Sequence, residues 1–110
     1  MFTVTDPIAS RSLETEAGGI IEVQFGRPTR EGDDWFTPWR ISGLDNDPIE
    51  SFAGGIDSVQ SLMFAMAAVG DRISSHKTVV TYLGSPEIQL LQTELGDTST
   101  WKATVSAPMA

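Results

Sequence analysis

The chain has 110 residues, 40% of them hydrophobic, and fifteen acidic against seven basic side chains leave a net charge of −8. That length supports one globular domain with a single core, and the charge repels nucleic-acid phosphates and anionic membranes at long range, so a basic or neutral partner is expected. Zero cysteines exclude disulfides, thiolate chemistry and sulfur-ligated metals. There is neither a run of about 18 apolar residues nor the basic start and apolar stretch of a signal peptide, and we expect a soluble, cytoplasmic protein.

From Ile8 to Thr15 the residues alternate in polarity and read as a first strand. Glu16-Ala17-Gly18-Gly19 supplies a tight hairpin, and Ile20 to Phe25 returns as a second strand with Ile21, Val23 and Phe25 inward. Gly26 to Asp34 consists of turn formers and charges and reads as a flexible loop. Trp35 to Ser42 reads as a third strand, with Trp35, Thr37, Trp39 and Ile41 on one face and Phe36, Pro38, Arg40 and Ser42 on the other. Pro38 cannot donate a ladder bond, so the strand lies at an edge there or carries a bulge. Gly43 to Pro48 is an acidic turn, and Ile49 to Ala53 a short fourth strand.

The rest of the chain is organised around Phe52 to Ser75, its only long apolar-periodic run. On a 3.6-residue period Val59, Leu62, Met63, Met66, Ala67, Val69, Gly70 and Ile73 share an arc, predicting an amphipathic helix capped by Asp57 or Gly55. Lys77 to Leu83 is rich in β-branched residues and reads as a strand. Gly84-Ser85-Pro86-Glu87 is a helix-start signal, followed by Ile88, Leu91 and Leu95 as one face of a short helix that stops at Gly96. Asp97 to Thr100 reads as a turn, Trp101 to Val105 as a last short strand and Ser106 to Ala110 as a frayed end. The predicted fold is a two-layer α+β domain spanning residues 1–110: an antiparallel four-stranded meander packed on one long helix, with a short C-terminal helix and strand.

No motif for catalysis or cofactor binding stands out. His76 is the only histidine, and neither G-x-S-x-G nor S-x-x-K occurs, so a nucleophilic triad is not supported. Gly18-Gly19 and Gly54-Gly55 match neither the P-loop nor G-x-G-x-x-G. Asp45, Asp47 and Glu50 lack the glycine and loop length of an EF-hand, and adjacent Asp33 and Asp34 lack the burial that would split two carboxylates into acid and base. We therefore expect no metal, no cofactor and no enzyme activity. His76, beside the negative end of the helix dipole, has a structural role in this reading.

The charge itself is uneven. Residues 31–50 hold six acids, Glu31, Asp33, Asp34, Asp45, Asp47 and Glu50, against Arg40, a net of −5. With Trp35 and Trp39 on the strand between the acidic loops, Asp33, Asp34, Trp35, Asp45, Asp47 and Glu50 form the candidate protein-binding surface, an aromatic anchor beside an acidic rim. The alternatives are ordinary solvated loops and core tryptophans. On the helix, Phe64, Ala65 and Ala68 lie opposite the predicted core arc. Either the C-terminal segment covers them or a second copy does, as a homodimer. A pocket between sheet and helix near Trp39, Arg40 and Gln60 is the alternative, as a small-molecule-binding or catalytic site.

The passages DDWFTPWRISGL and FAGGIDSVQSLMFAMAAVGDRI add a likeness. Arg11 with Leu13, Asp34 to Leu44, and Phe52 to Leu62 match an R-x-L strand, a D-W-x-x-P-[YW]-R-I-x-G-L strand and an F-A-G-G-[VI]-D-S-[VI]-Q-[AS]-L helix start. The chain thus resembles a family of short bacterial proteins of unknown function over the first two-thirds of its length. The resemblance implies a bacterial, intracellular α+β domain and carries no known catalytic residues. A non-enzymatic protein-binding domain, of the immunity or inhibitor kind, whose acidic surface meets a basic partner, is the expectation that follows.

Overall fold

The computed structural model describes residues 2–96 and 99–108. Its first half is β1 (Ala9–Thr15), β2 (Ile20–Phe25), β3 (Thr29–Glu31), β4 (Asp34–Ser42) and β5 (Ile49–Gly55), and then comes α1 (Ser58–Ser74). Short strands β6 (Val80–Thr81), β7 (Gln92–Thr93) and β8 (Ala103–Thr104) follow. The architecture is α+β, with one helix against an antiparallel sheet.

That sheet has six strands where the sequence suggests four. β6 adds to β1 through Glu14↔Thr81 and Thr15↔Val80, and β3 comes from the stretch expected to be a flexible loop. The loop reading fails because Gly32, at φ 65°, closes a two-residue hairpin between Glu31 and Asp34, whose register is set by β4. β4 is the hub: β2 and β3 share one of its edges and β5 runs along the other from Trp35↔Gly55 to Ile41↔Ile49. Between Phe25↔Trp39 and Thr29↔Phe36 the register slips by one residue, so Gly26, Arg27 and Pro28 face only Thr37 and Pro38. Pro38 sits at this bulge. Its carbonyl accepts from Gly26 N–H at 2.8 Å, and the donor it lacks would have pointed into the bulge, where the ladder is already interrupted.

One face of the sheet is the core. Leu13, Ile21, Val23, Phe25, Trp39 and Ile41 are buried there against Ala65, Val69 and Ile73 of α1. The helix begins at the predicted place, with the Asp57 carboxylate accepting from Gln60 N–H at 2.7 Å. Its packing face, however, is rotated from the predicted arc. Ser61, Ala65, Ala67, Val69, Gly70 and Ile73 are buried, whereas Val59 is 62% and Met63 39% exposed. Bulk explains the rotation: Phe25, Trp39 and Ile41 fill the interlayer space from the sheet side, so the helix approaches with small residues rather than large ones.

The C-terminal third departs furthest from expectation. The strand predicted over Lys77 to Leu83 shrinks to Val80–Thr81, and the helix predicted after Pro86 is absent. Ile88 and Leu90 are instead buried with alternating spacing, and Leu95, expected on the same helical face, is 97% exposed. The backbone polar groups of this segment are taken by distant partners. Arg11 Nη1 donates to Ile88 O at 3.1 Å and to Gln89 O at 2.5 Å, and Thr93 N–H donates to Asp71 Oδ1 at 2.8 Å. Carbonyls already bonded by a guanidinium have no need of helical i→i−4 donors, so the propensity signal loses to tertiary bonding. Leu91 also lies across Gly70, whose missing Cβ leaves the space that its carbonyl occupies. Asp97 and Thr98 of the predicted turn, and Met109 and Ala110 of the predicted frayed end, lie outside the described residues.

Candidate functional site

The acids of residues 31–50 are all exposed, but they do not form one patch. Asp33 and Asp34 sit at the β3–β4 hairpin, while Asp45 and Asp47 lie in the β4–β5 loop beyond the other end of β4. A nine-residue strand separates them, a span of roughly 27 Å at about 3.4 Å per residue. Glu50 lies between these poles on β5, opposite Arg40, with Oε1 3.8 Å from Arg40 Nε.

At the Asp45 end the fold makes an open groove of about 870 Å³, walled by the loop from Gly43 to Glu50 and by His76, Lys77 and Thr78 after the helix. His76 joins the two walls. Its Nε2 lies 2.8 Å from Asp45 Oδ1, and its Nδ1 accepts the Thr78 N–H at 3.1 Å. Because Nδ1 is an acceptor in this geometry, the ring proton resides on Nε2 and is donated to the carboxylate. Both ring nitrogens are thus engaged, and neither offers a lone pair or a proton to a substrate. Among the described residues no group of three or more His, Asp or Glu side chains comes together as a metal site.

The other predicted positions are dispersed by strand alternation and helix geometry. Trp39 points into the core at 4% exposure, whereas Arg40, its neighbour on the strand, faces the opposite side, and Gln60 is tied to the helix start, its Oε1 accepting from Ile56 N–H at 2.9 Å. The predicted pocket of Trp39, Arg40 and Gln60 is therefore not assembled, since consecutive strand residues cannot share a face. Trp39 Nε1 and Arg40 Nε are buried and find no hydrogen-bond partner among the described residues. Trp35 is half-buried. Phe64, Ala65 and Ala68 do not share an open face: Ala65 is fully buried in the core, Ala68 is packed against it, and the Phe64 ring meets Trp101 edge-on at 4.7 Å.

Two features escaped the sequence reading. Phe2, Phe36 and Phe52 form a ring cluster on the sheet face away from the helix, with Phe2 stacked on Phe36 at 4.6 Å and Phe36 meeting Phe52 at 5.7 Å. Phe36 on the outward register of a strand was its visible signal. The second is Arg11, whose guanidinium lies 4.5 Å from the Tyr82 ring centroid while it holds the C-terminal segment. An arginine at an inward strand position was the available hint.

The fold and its site thus define an α+β domain with acidic poles at both ends of its central strand. Residues 9–102 match the family model of a domain of unknown function (DUF6968), and the chain belongs to that family. Comparison with curated proteins and with solved structures finds no match. Among the described residues no helix is long and apolar enough to cross a membrane.

Proposed function

We propose that this is a non-enzymatic protein-binding domain, of the immunity or inhibitor kind in a bacterial cytoplasm, whose acidic surface engages a basic partner. The observation that carries the reading is that all six acids of residues 31–50 are exposed. Among the described residues only Arg40 forms an ion pair with any of them, to Glu50, and the contact of His76 with Asp45 is a hydrogen bond. Uncompensated charge of this kind steers a partner of opposite sign and speeds association. The engagement of both His76 nitrogens supports a binding role over acid–base catalysis. A small-molecule site has less support, because Trp39 and Arg40 lie on opposite faces of β4 and Gln60 is tied to the start of α1.

The test is affinity capture with the intact protein at about 50 and about 500 mM salt, spanning strong and weak screening, alongside a variant carrying Asp33, Asp34, Asp45 and Asp47 as asparagine. A basic partner held at low salt, released at high salt and lost from the variant supports the reading. A partner retained equally under all conditions, or none at either salt, overturns it.

A further inference from the structure

Among the described residues β5 pairs with β4 on one side only and so lies at the rim of the sheet. The direction of its free groups follows from Pro38, whose carbonyl bonds Gly26 on the far edge of β4. In an antiparallel strand the N–H and C=O of one residue leave by the same edge and the edge alternates with each residue. Trp35, Thr37, Trp39 and Ile41 therefore face β5 and bond Gly55, Ala53, Ser51 and Ile49. This leaves the N–H and C=O of Glu50, Phe52 and Gly54 directed outward, and no backbone partner for them occurs among the described residues. Few devices blunt this edge: β5 has no proline, no lysine and no bulge over seven residues, and Glu50, facing Arg40, is its one charged side chain.

The surroundings of this edge identify its occupant. Asp45 and Asp47 stand just before its first residue. At its other end Gly55 pairs with Trp35, next to Asp33 and Asp34, and Asp57 follows in the chain. Asp45 and Asp47 before its first residue and Asp57 after its last thus bracket the open edge of β5, which is roughly 20 Å long at about 3.4 Å per residue, with Asp33 and Asp34 lying one strand further in at the start of β4. Between the ends of β5 the outward face carries Phe52, 37% exposed, against Phe36 and Phe2. A second copy of the chain fits poorly, since antiparallel pairing of β5 with itself would set Asp47 of one copy near Asp34 and Asp57 of the other.

We infer that the free edge of β5 is a docking site for an extended segment of a basic protein, which adds as a further strand with basic residues at both ends and an apolar residue over Phe52. Ladder bonds to Glu50, Phe52 and Gly54 supply affinity, and the bracketing acids supply selectivity and orientation. This deepens the basic-partner reading and rests on it.

The test uses a displayed library of random peptides about ten residues long, enough to span the edge, selected on the intact protein. Enriched peptides are expected to carry lysine or arginine towards both ends around an alternating apolar centre. In hydrogen exchange they should slow the Glu50, Phe52 and Gly54 amides at least tenfold, and N-methylation at alternate peptide positions should abolish binding. Phe52→Pro, which removes an N–H that no ladder bond within the sheet uses, should also abolish it if the variant folds. Basic peptides that bind as well when N-methylated, or that leave these amides unchanged, overturn edge docking while the basic-partner reading stands. Enrichment without basic residues, or no enrichment, overturns edge docking, and the salt-dependent capture above decides the broader reading separately. Protection of the three amides in the free protein, with doubled mass in sedimentation, replaces the peptide by a second copy and overturns the inference.

Discussion

The hydroxyl of Thr37 on β4 lies 2.8 Å from that of Ser61 on α1, and both residues are fully shielded from solvent. Ser61 Oγ also donates to Ser58 O at 3.1 Å, so the Thr37 hydroxyl is the donor between the pair. This fixes an asymmetry. Ser61→Ala strands the Thr37 hydroxyl in the core and should cost about 1–3 kcal/mol, the usual penalty for an unsatisfied buried group. Thr37→Val leaves Ser61 bonded to Ser58 and should cost clearly less. The double variant should be close to Thr37→Val alone, a non-additivity that urea denaturation of all four proteins would measure. Equal and additive losses would contradict the assigned chain of donors.

Trp39 presents the opposite case, a large buried ring whose indole Nε1 has no partner among the described residues. Trp39→Phe keeps most of the apolar contact and deletes the orphaned donor. It should cost under about 1.5 kcal/mol, against about 3–5 kcal/mol for Trp39→Ala, which empties the space between sheet and helix. A loss for Trp39→Phe as large as for the alanine variant would reveal a partner for the indole.

Gly70 tests the docking of the C-terminal segment. In an exposed helix interior, glycine to alanine gains about 1 kcal/mol through propensity. Here a Cβ would run into the Leu91 carbonyl, and Gly70→Ala should instead destabilise by about 1–3 kcal/mol, as overpacking does. Limited proteolysis should then cut between Ser85 and Gly96 faster than in the wild type. A stabilised variant with unchanged cleavage would mean that this segment yields without cost.

The His76–Asp45 bond should hold the β4–β5 loop rather than the whole fold, because Asp45 keeps half its side chain in solvent. Asp45→Ala and His76→Ala should each lower stability by no more than about 1 kcal/mol, with little further loss when combined. Amide exchange from Asp45 to Asp47 should rise in both. Unchanged exchange in this loop would show that the bond does not restrain it.

How far the chain could be read varies with how local the deciding interactions are. β1, β2 and β4 were legible because one buried face makes polarity alternate with period two, and Leu13, Ile21, Val23, Thr37, Trp39 and Ile41 all follow it. The start of α1 was legible because capping by Asp57 is settled within three residues. The acidic stretch was also legible as composition. Its partition into two poles was not, because that depends on β4 being extended and on β5 returning alongside it.

What the sequence by itself determined is therefore the α+β class, the faces of the principal strands and the place where the helix begins, each set by residues a few positions apart. Only the tertiary structure decided the rotation of α1, the extended path of the chain after Pro86 and the free edge of β5. The bulk of Trp39 and Phe25 turns the small face of α1 inward, and Arg11, 77 positions before Ile88, takes carbonyls that local propensity would have given to a helix. Such long-range competition leaves no periodic trace in the segment it controls, because its outcome depends on which distant groups the completed sheet brings within bonding distance.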